Sequence, residues 1–412
     1  MGNNLSKKNK KNVQKKNNND KDIKYQNYKT NNYNIKENIY SSKKCENRNN
    51  NIINRINIED NKDIIEKNND ILNSQKISYS ELNSNSFNYE FIRNIATDSY
   101  SYGVDNTMVV FKSNDDILYF IYSNRNKSII SYNLINNQKI NEIKNAHNTI
   151  ITNLKHYLYK DKKDLIISTS VNNNLKLWRI DDWECLLNIK VNETGDLLSA
   201  CLLIQKNQIY IITSNNNYSH YSEGIKVFNL NGNKIKQIKN SNDEIKSIDI
   251  YYDNESSKPY ILTSNKGFAK SFDYNNNIIY HIYNDNDEKY HYSLRIKNDN
   301  NLIKLIESSQ SGIIRIWNFH TGELLNKIYF DNQSLYGICL WNQDYLFIGS
   351  SDNTIKLLDI KKSKVIGNII GHNKKILVLA KVNIPNKGEF LISQENGSET
   401  KLWKIKKIFK YI

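Results

Sequence analysis

A motif of apolar, basic, apolar and large apolar residues recurs along the chain and predicts an all-β fold, a seven-bladed β-propeller of four-stranded antiparallel blades, preceded by a disordered basic N-terminal tail. Ile129-Ile130-Ser131-Tyr132 comes first. Leu175-Lys176-Leu177-Trp178, Ile225-Lys226-Val227-Phe228, Ala269-Lys270-Ser271-Phe272, Ile314-Arg315-Ile316-Trp317, Ile355-Lys356-Leu357-Leu358 and Thr400-Lys401-Leu402-Trp403 follow. The large residue thus returns at a mean spacing of about 45, which is the mark of a repeat architecture. A second observation agrees. From about residue 87 onward, short β-branched and aromatic runs alternate with Asn/Ser/Gly/Asp clusters, the pattern of strands and turns.

Residues 1–84 are polar and rich in Asn and Lys. Such a segment cannot bury enough apolar surface to offset the entropy of ordering, so disorder is expected. Within it Ile52, Ile53, Ile56, Ile64, Ile65, Ile71 and Leu72 could form a short amphipathic helix, although their spacing is irregular. Residues 85–408 form the repeat domain and 409–412 a short C-terminal end. One unit stands for the others: strands over Thr149–His156, Leu165–Ser170, Leu175–Ile180 and Cys185–Lys190, with a turn at Asn172–Asn174 where Asn tolerates positive φ. Four such strands repeated radially make a propeller. After the last third strand only Lys406–Ile412 remain, too few for a turn and a further strand. Phe87–Ile92 is therefore expected to supply the outer strand of the last blade and so remove the open sheet edges.

Composition excludes several classes of function. The 412 residues carry a net charge of +15, but Asn, Lys, Ile and Tyr are abundant while Pro (2), Met (2) and Gly (14) are scarce, as in an AT-rich genome. The basic balance alone is thus weak evidence for a nucleic-acid partner. Cys45, Cys185, Cys201 and Cys339 show neither CxxC pairing nor metal-ligand spacing, and the last three are expected as small core residues of strands. No stretch approaches the run of about 18 apolar residues of a membrane span, and the first residues do not read as a secretory h-region. The expected location is intracellular. His147, His156, His220, His281, His291, His320 and His372 lie at non-ligand spacings, and neither a phosphate-cradling Gly-rich loop nor a nucleophile elbow is present. No catalytic residue, metal or cofactor is expected, and the chain is not read as an enzyme. His281 and His291, with Tyr283, Tyr290 and Tyr292 around them, read as a fourth strand, a turn and a first strand.

Over about residues 87–408 the chain resembles the WD-repeat family. The family's Gly-His dipeptide stands at Gly371-His372 and, altered, at Ala146-His147; its Trp stands at 178, 317 and 403. The Asp expected after the Trp is replaced by Arg179, Asn318 and Lys404, but Asp occupies 273 and 359. The turn acid is Asp352 in one unit and Asn172 or Ser311 in others. The resemblance implies a buried His, Ser/Thr, Asp and Trp set within a blade. No unit shows all four in the sequence, and the unit of Trp178, with His147, Ser168 and Asn172, comes nearest. Packed apolar strands are therefore expected to carry most of the stability. The resemblance also implies a non-catalytic protein-interaction scaffold, with a docking face at the loops between fourth and first strands. Thr152, Lys246, His291, Tyr292, Tyr336 and Lys374 match that face, and Tyr292 and Tyr336 are its expected anchors, since interface hot spots favour Tyr, Trp and Arg.

The first eight residues, Met1-Gly2-Asn3-Asn4-Leu5-Ser6-Lys7-Lys8, fit the N-myristoylation pattern with Gly2 as acceptor. Lys7, Lys8, Lys10, Lys11, Lys15 and Lys16 follow with no acid among the first sixteen residues. One acyl chain binds membranes only marginally, and a polybasic patch is a typical second signal, so peripheral attachment to the cytoplasmic face of an anionic membrane is expected. Cys45 lies far from the acceptor. Lys-rich tails also bind nucleic acid, although the aromatic and Arg readers of RNA are not concentrated here. A soluble subunit of an RNA-processing or ribosome-assembly complex is therefore the alternative, and a partner of cytoskeletal or transport machinery a third. No Arg-Arg pair of the phosphoinositide-binding propellers occurs. A monomer within a larger complex is expected, its protein partner not named by the sequence.

Overall fold

The computed structural model describes residues 87–408 apart from 102–106, 160–162, 192–194, 215–223, 239–240, 254 and 300–301. Gly2, the six tail lysines, Cys45, the candidate helix within 52–72, the expected disorder of 1–84 and the C-terminal end 409–412 lie outside the described residues.

Seven four-stranded antiparallel sheets account for every strand among the described residues. Their first strands are Met108–Lys112, Ile151–Tyr159, Ala200–Gln205, Ile245–Tyr252, His291–Asp299, Leu335–Leu340 and Ile376–Ile384, which begin blades 1 to 7 in order. Each first strand lies against that of the next blade, and the seventh against the first, so the ring closes around an axis. The second and third strands are stacked between neighbouring blades. Their burial is therefore continuous rather than alternating: Tyr345–Ser350 and Ile355–Asp359 of blade 6 are buried throughout, Lys356 and Asp359 included. Fourth strands lie at the rim, and Gln138–Ile143 of blade 1 has no buried residue.

The recurring large residue of the sequence marks one structural feature. In all seven blades the pairing of third and fourth strands shifts register beside it, at Tyr132, Trp178, Phe228, Phe272, Trp317, Leu358 and Trp403. A bulge there raises the local twist of the outer strand. The turns have their own chemistry. Among the described residues, nine of the fifteen non-Gly residues at positive φ are Asn, including Asn173 (φ 61°) in the turn expected at 172–174. Abundant Asn thus serves the left-handed positions that so few glycines could fill.

Closure follows the expected route. Phe87–Ala96 pairs antiparallel with Thr400–Ile408 and becomes the outer strand of blade 7. Phe87 is buried among Phe347, Leu391 and Trp403, in an apolar cluster shared by blades 6 and 7. Above it, the Thr107 hydroxyl donates to Gln394 Oε1 at 2.7 Å and the Thr400 hydroxyl to Ser99 Oγ at 2.9 Å, tying blade 7 to the chain entering blade 1. Blade 6 meets blade 7 closely: a Cβ at Gly337 would lie 2.5 Å from the Leu377 carbonyl oxygen, and one at Gly349 2.5 Å from that of Ile376. Cys201 and Cys339 are buried as expected. Cys185 is exposed instead, because it begins the outermost strand of its blade.

Candidate partner-docking face

The upper face of the ring carries the loops from each fourth strand to the next first strand, together with the turns between second and third strands. Across blades 4 to 7 this face holds a row of stacked side chains. Lys246 Nζ lies 4.3 Å from the Tyr290 ring centroid. Tyr290 stacks on Tyr292 at 6.4 Å, Tyr292 on Tyr336 at 5.3 Å, and Lys375 caps Tyr336 at 5.3 Å. Glu244 accepts from the Tyr290 hydroxyl at 3.1 Å and pairs with Lys246 at 2.7 Å. The row exists because first strands begin at adjacent points round the axis, so residues one or two places into blades 4, 5 and 6 face one another. A cation on a tyrosine face adds about 0.5–1 kcal/mol when exposed, and rings on two-torsion side chains lose little entropy when fixed.

Beside the row runs a groove of about 690 Å³ between the turn at Lys266–Phe268 and the loop 284–290 that leads into blade 5. The Gly267 amide donates to the Lys289 carbonyl at 2.8 Å, which joins the two walls. The loop alternates. Asn284, Asn286 and Glu288 are exposed, whereas Asp285 and Asp287 turn towards Arg315 in the third strand of blade 5. Arg315 is 0 % exposed; its Nε donates to Asp285 at 2.7 Å, one terminal nitrogen to Asp287 at 2.5 Å, and the other to Ser309 Oγ at 3.0 Å. Burial pushes both carboxyls up, but for Asp285 the Arg315 and Lys327 bonds, and for Asp287 those from Ser311, the Lys289 amide and Arg315, more than offset it and leave both pKa values lowered. A buried arginine therefore sets the shape of the groove wall.

The six residues expected on this face divide. Lys246 and Tyr292 are half-buried within the row, and Lys374 is exposed, donating to Ser398 Oγ at 3.1 Å. Thr152, His291 and Tyr336 are inside the molecule at 1, 0 and 7 % exposure, so contact through their side chains is corrected to a structural role. Thr152 shares a hydrogen bond with Thr169 and donates to the Leu197 carbonyl at 2.6 Å, joining blade 2 to the approach to blade 3. His291 bonds Glu307 at 3.0 Å, and Tyr336 joins an apolar cluster with Leu377, Val378 and Leu402. The starts of first strands are crowded by both neighbouring blades, which strand periodicity alone does not reveal. Tyr290, Glu244 and Lys375 were missed as members of the face; each lies within two residues of a position that was singled out.

The buried polar sets also differ from expectation. Blade 7, not blade 2, is the completer. Trp403 Nε1 donates to Ser393 Oγ at 2.7 Å, Ser393 lies 2.6 Å from His372 Nε2, and His372 Nδ1 lies 3.0 Å from Glu395. Glu395, two residues beyond the serine, replaces the turn acid. Blade 2 repeats the Trp178–Ser168–His147 chain at 2.8 and 2.7 Å, but no acid meets His147 Nδ1 among the described residues. In blade 5, Glu307 occupies the serine position and bonds both Trp317 and His291 at 3.0 Å. The signal available in the sequence was position: Ser168, Glu307 and Ser393 each lie ten residues before a Trp.

No protein-family model matches the chain. It is similar to an uncharacterized WD repeat-containing protein of Schizosaccharomyces pombe, 30% identical over 107 residues. The match covers 25% of this chain and 29% of that protein. The chain is a seven-bladed β-propeller, and one quarter of it is similar to a WD-repeat protein.

Proposed function

We propose that this propeller is a non-catalytic scaffold whose protein partner docks on the upper face over blades 4 to 6. The observation that carries this is the row Lys246–Tyr290–Tyr292, backed by buried Tyr336 and closed by Lys375, beside a groove already walled by the Arg315 network. Preformed aromatic surface lowers the ordering cost of binding. A photo-crosslinking residue placed at Tyr290 or Lys374 should capture a discrete partner, and one at the exposed rim residue Ile278 should not. Equal capture at all three positions removes the preference for this face.

The tail supports a finer reading. Gly2, with Lys7, Lys8, Lys10, Lys11, Lys15 and Lys16, is proposed to tether the propeller to the cytoplasmic face of an anionic membrane. Gly2→Ala should move tagged protein from the membrane to the soluble fraction of cells. If the unchanged protein is soluble and unacylated, the tether is wrong, and the soluble RNA-processing subunit becomes the reading to pursue.

A further inference from the structure

The opposite, lower face carries the turns between first and second and between third and fourth strands. In blade 6 its third-to-fourth turn bears Lys361, Lys362 and Lys364. In blade 7 alongside, the first turn bears Lys387 and the second half of the third strand bears Lys404 and Lys406. Five of these six are exposed and Lys404 is half-buried. Of the carboxylates among them, Asp344 meets Lys361 at 2.7 Å, Glu90 meets Lys406 at 2.8 Å and Glu389 meets Lys381 at 2.5 Å, while buried Asp359 accepts from the Lys362 amide at 2.9 Å. Lys364, Lys387 and Lys404 form no ion pair among the described residues, so positive charge is in surplus.

The chain's own path leads to this sector. The fourth strand of blade 6 begins at Lys364 and runs beside the closing strand, which begins at Phe87. The described chain therefore begins, at Phe87, in the sector where the lysines gather. We infer that the lower sector of blades 6 and 7 lies against an anionic phospholipid surface, turning the tyrosine row on the upper face away from the bilayer. This builds on the tether proposed above and adds which face of the ring meets the membrane. The two turns contain lysine without arginine or aromatic residues. Point-like ammonium groups suit a diffuse headgroup layer, whereas RNA readers use arginine planes and aromatic stacking.

The test uses the full chain prepared without acylation and sedimented with phosphatidylcholine vesicles containing about one third phosphatidylserine. The chain should bind these and not pure phosphatidylcholine, and added salt should weaken binding by screening. Replacing Lys361, Lys362, Lys364 and Lys387 by Gln should lower vesicle affinity at least about tenfold, since each lysine near the surface contributes. Replacing Lys266, Lys289, Lys374 and Lys375 of the upper face by Gln removes equal charge and should cost less than about twofold. Arg at the four lower positions should bind as the wild type does, which separates lost charge from lost folding. Equal losses in the two Gln variants overturn the inference. So does loss only on replacing Lys7, Lys8, Lys10 and Lys11, although that result leaves the tether standing. Stronger binding to single-stranded RNA through the same four lysines overturns it in favour of nucleic acid.

Discussion

Arg315 and Asp285 meet at 2.7 Å across the join between a buried third strand and the loop that precedes its blade. One end of this pair is core and the other shapes a surface groove, so packing and candidate function are coupled there. Removing the arginine leaves Asp285, Asp287 and Glu307 buried without their main cation. Arg315→Met should destabilise the propeller by about 3–5 kcal/mol in urea unfolding. Arg315→Lys should lose less, but it cannot reproduce the fork that reaches both aspartates. A loss under about 1 kcal/mol for Arg315→Met would show that the network is not structural.

Ring closure makes a second expectation. Deleting residues 1–80 should leave a folded domain of unchanged midpoint. Deleting 1–100 removes the closing strand with buried Phe87, Ile95 and Ala96 and exposes Trp403. Burial of each large side chain contributes about 1.5–3 kcal/mol, so several kcal/mol should be lost. Thermal unfolding of the two truncations compares them directly, and equal midpoints would contradict closure by this strand.

Acid should weaken the fold through its buried histidines. Burial, with Lys176 adding repulsion, pushes His147 down to about 3. The unfolded chain takes up that proton near pH 6.5 and the folded chain does not, so this stability is present above pH 6.5 and is lost as pH falls towards 3. Burial lowers His156 and His372 in the same direction. Between pH 7 and pH 5, His147 alone should account for about 2 kcal/mol. Urea midpoints at several pH values should show a shallower slope for His147→Gln, and an unaltered slope would place the acid sensitivity elsewhere.

The tyrosine row contains two kinds of residue. Tyr336 belongs to the core, and Tyr336→Ala should cost about 3 kcal/mol or more. Tyr290, half-buried at the groove, should shift stability far less on conversion to Ala. Parallel thermal melts distinguish them, and similar large losses would make the whole row core.

Much of the fold was legible because its signals are local. The spacing of Tyr132 to Trp403, the Asn173 turn and the closing segment at Phe87 each follow from chain-local chemistry, and each stands where expected. The site was less legible because its determinants lie between blades. His291 and Tyr336 sit at starts of first strands, where neighbouring blades, not alternation, decide burial. Glu395 and Glu307 look like strand-end or surface acids until His372 and His291 are placed beside them. Arg315 occupies the basic position of the repeat motif, and only the folded loop supplies its aspartates.

The most direct test of a docking scaffold is quantitative co-purification from the native cell, comparing the wild type with Tyr290→Ala, Tyr292→Ala and the double variant at matched expression. A partner retained by the wild type should fall at least about tenfold in the double variant, as loss of two hot-spot aromatics implies, while the thermal midpoint shifts by only a few degrees. Full retention of the same partner by a folded double variant would contradict docking on this face.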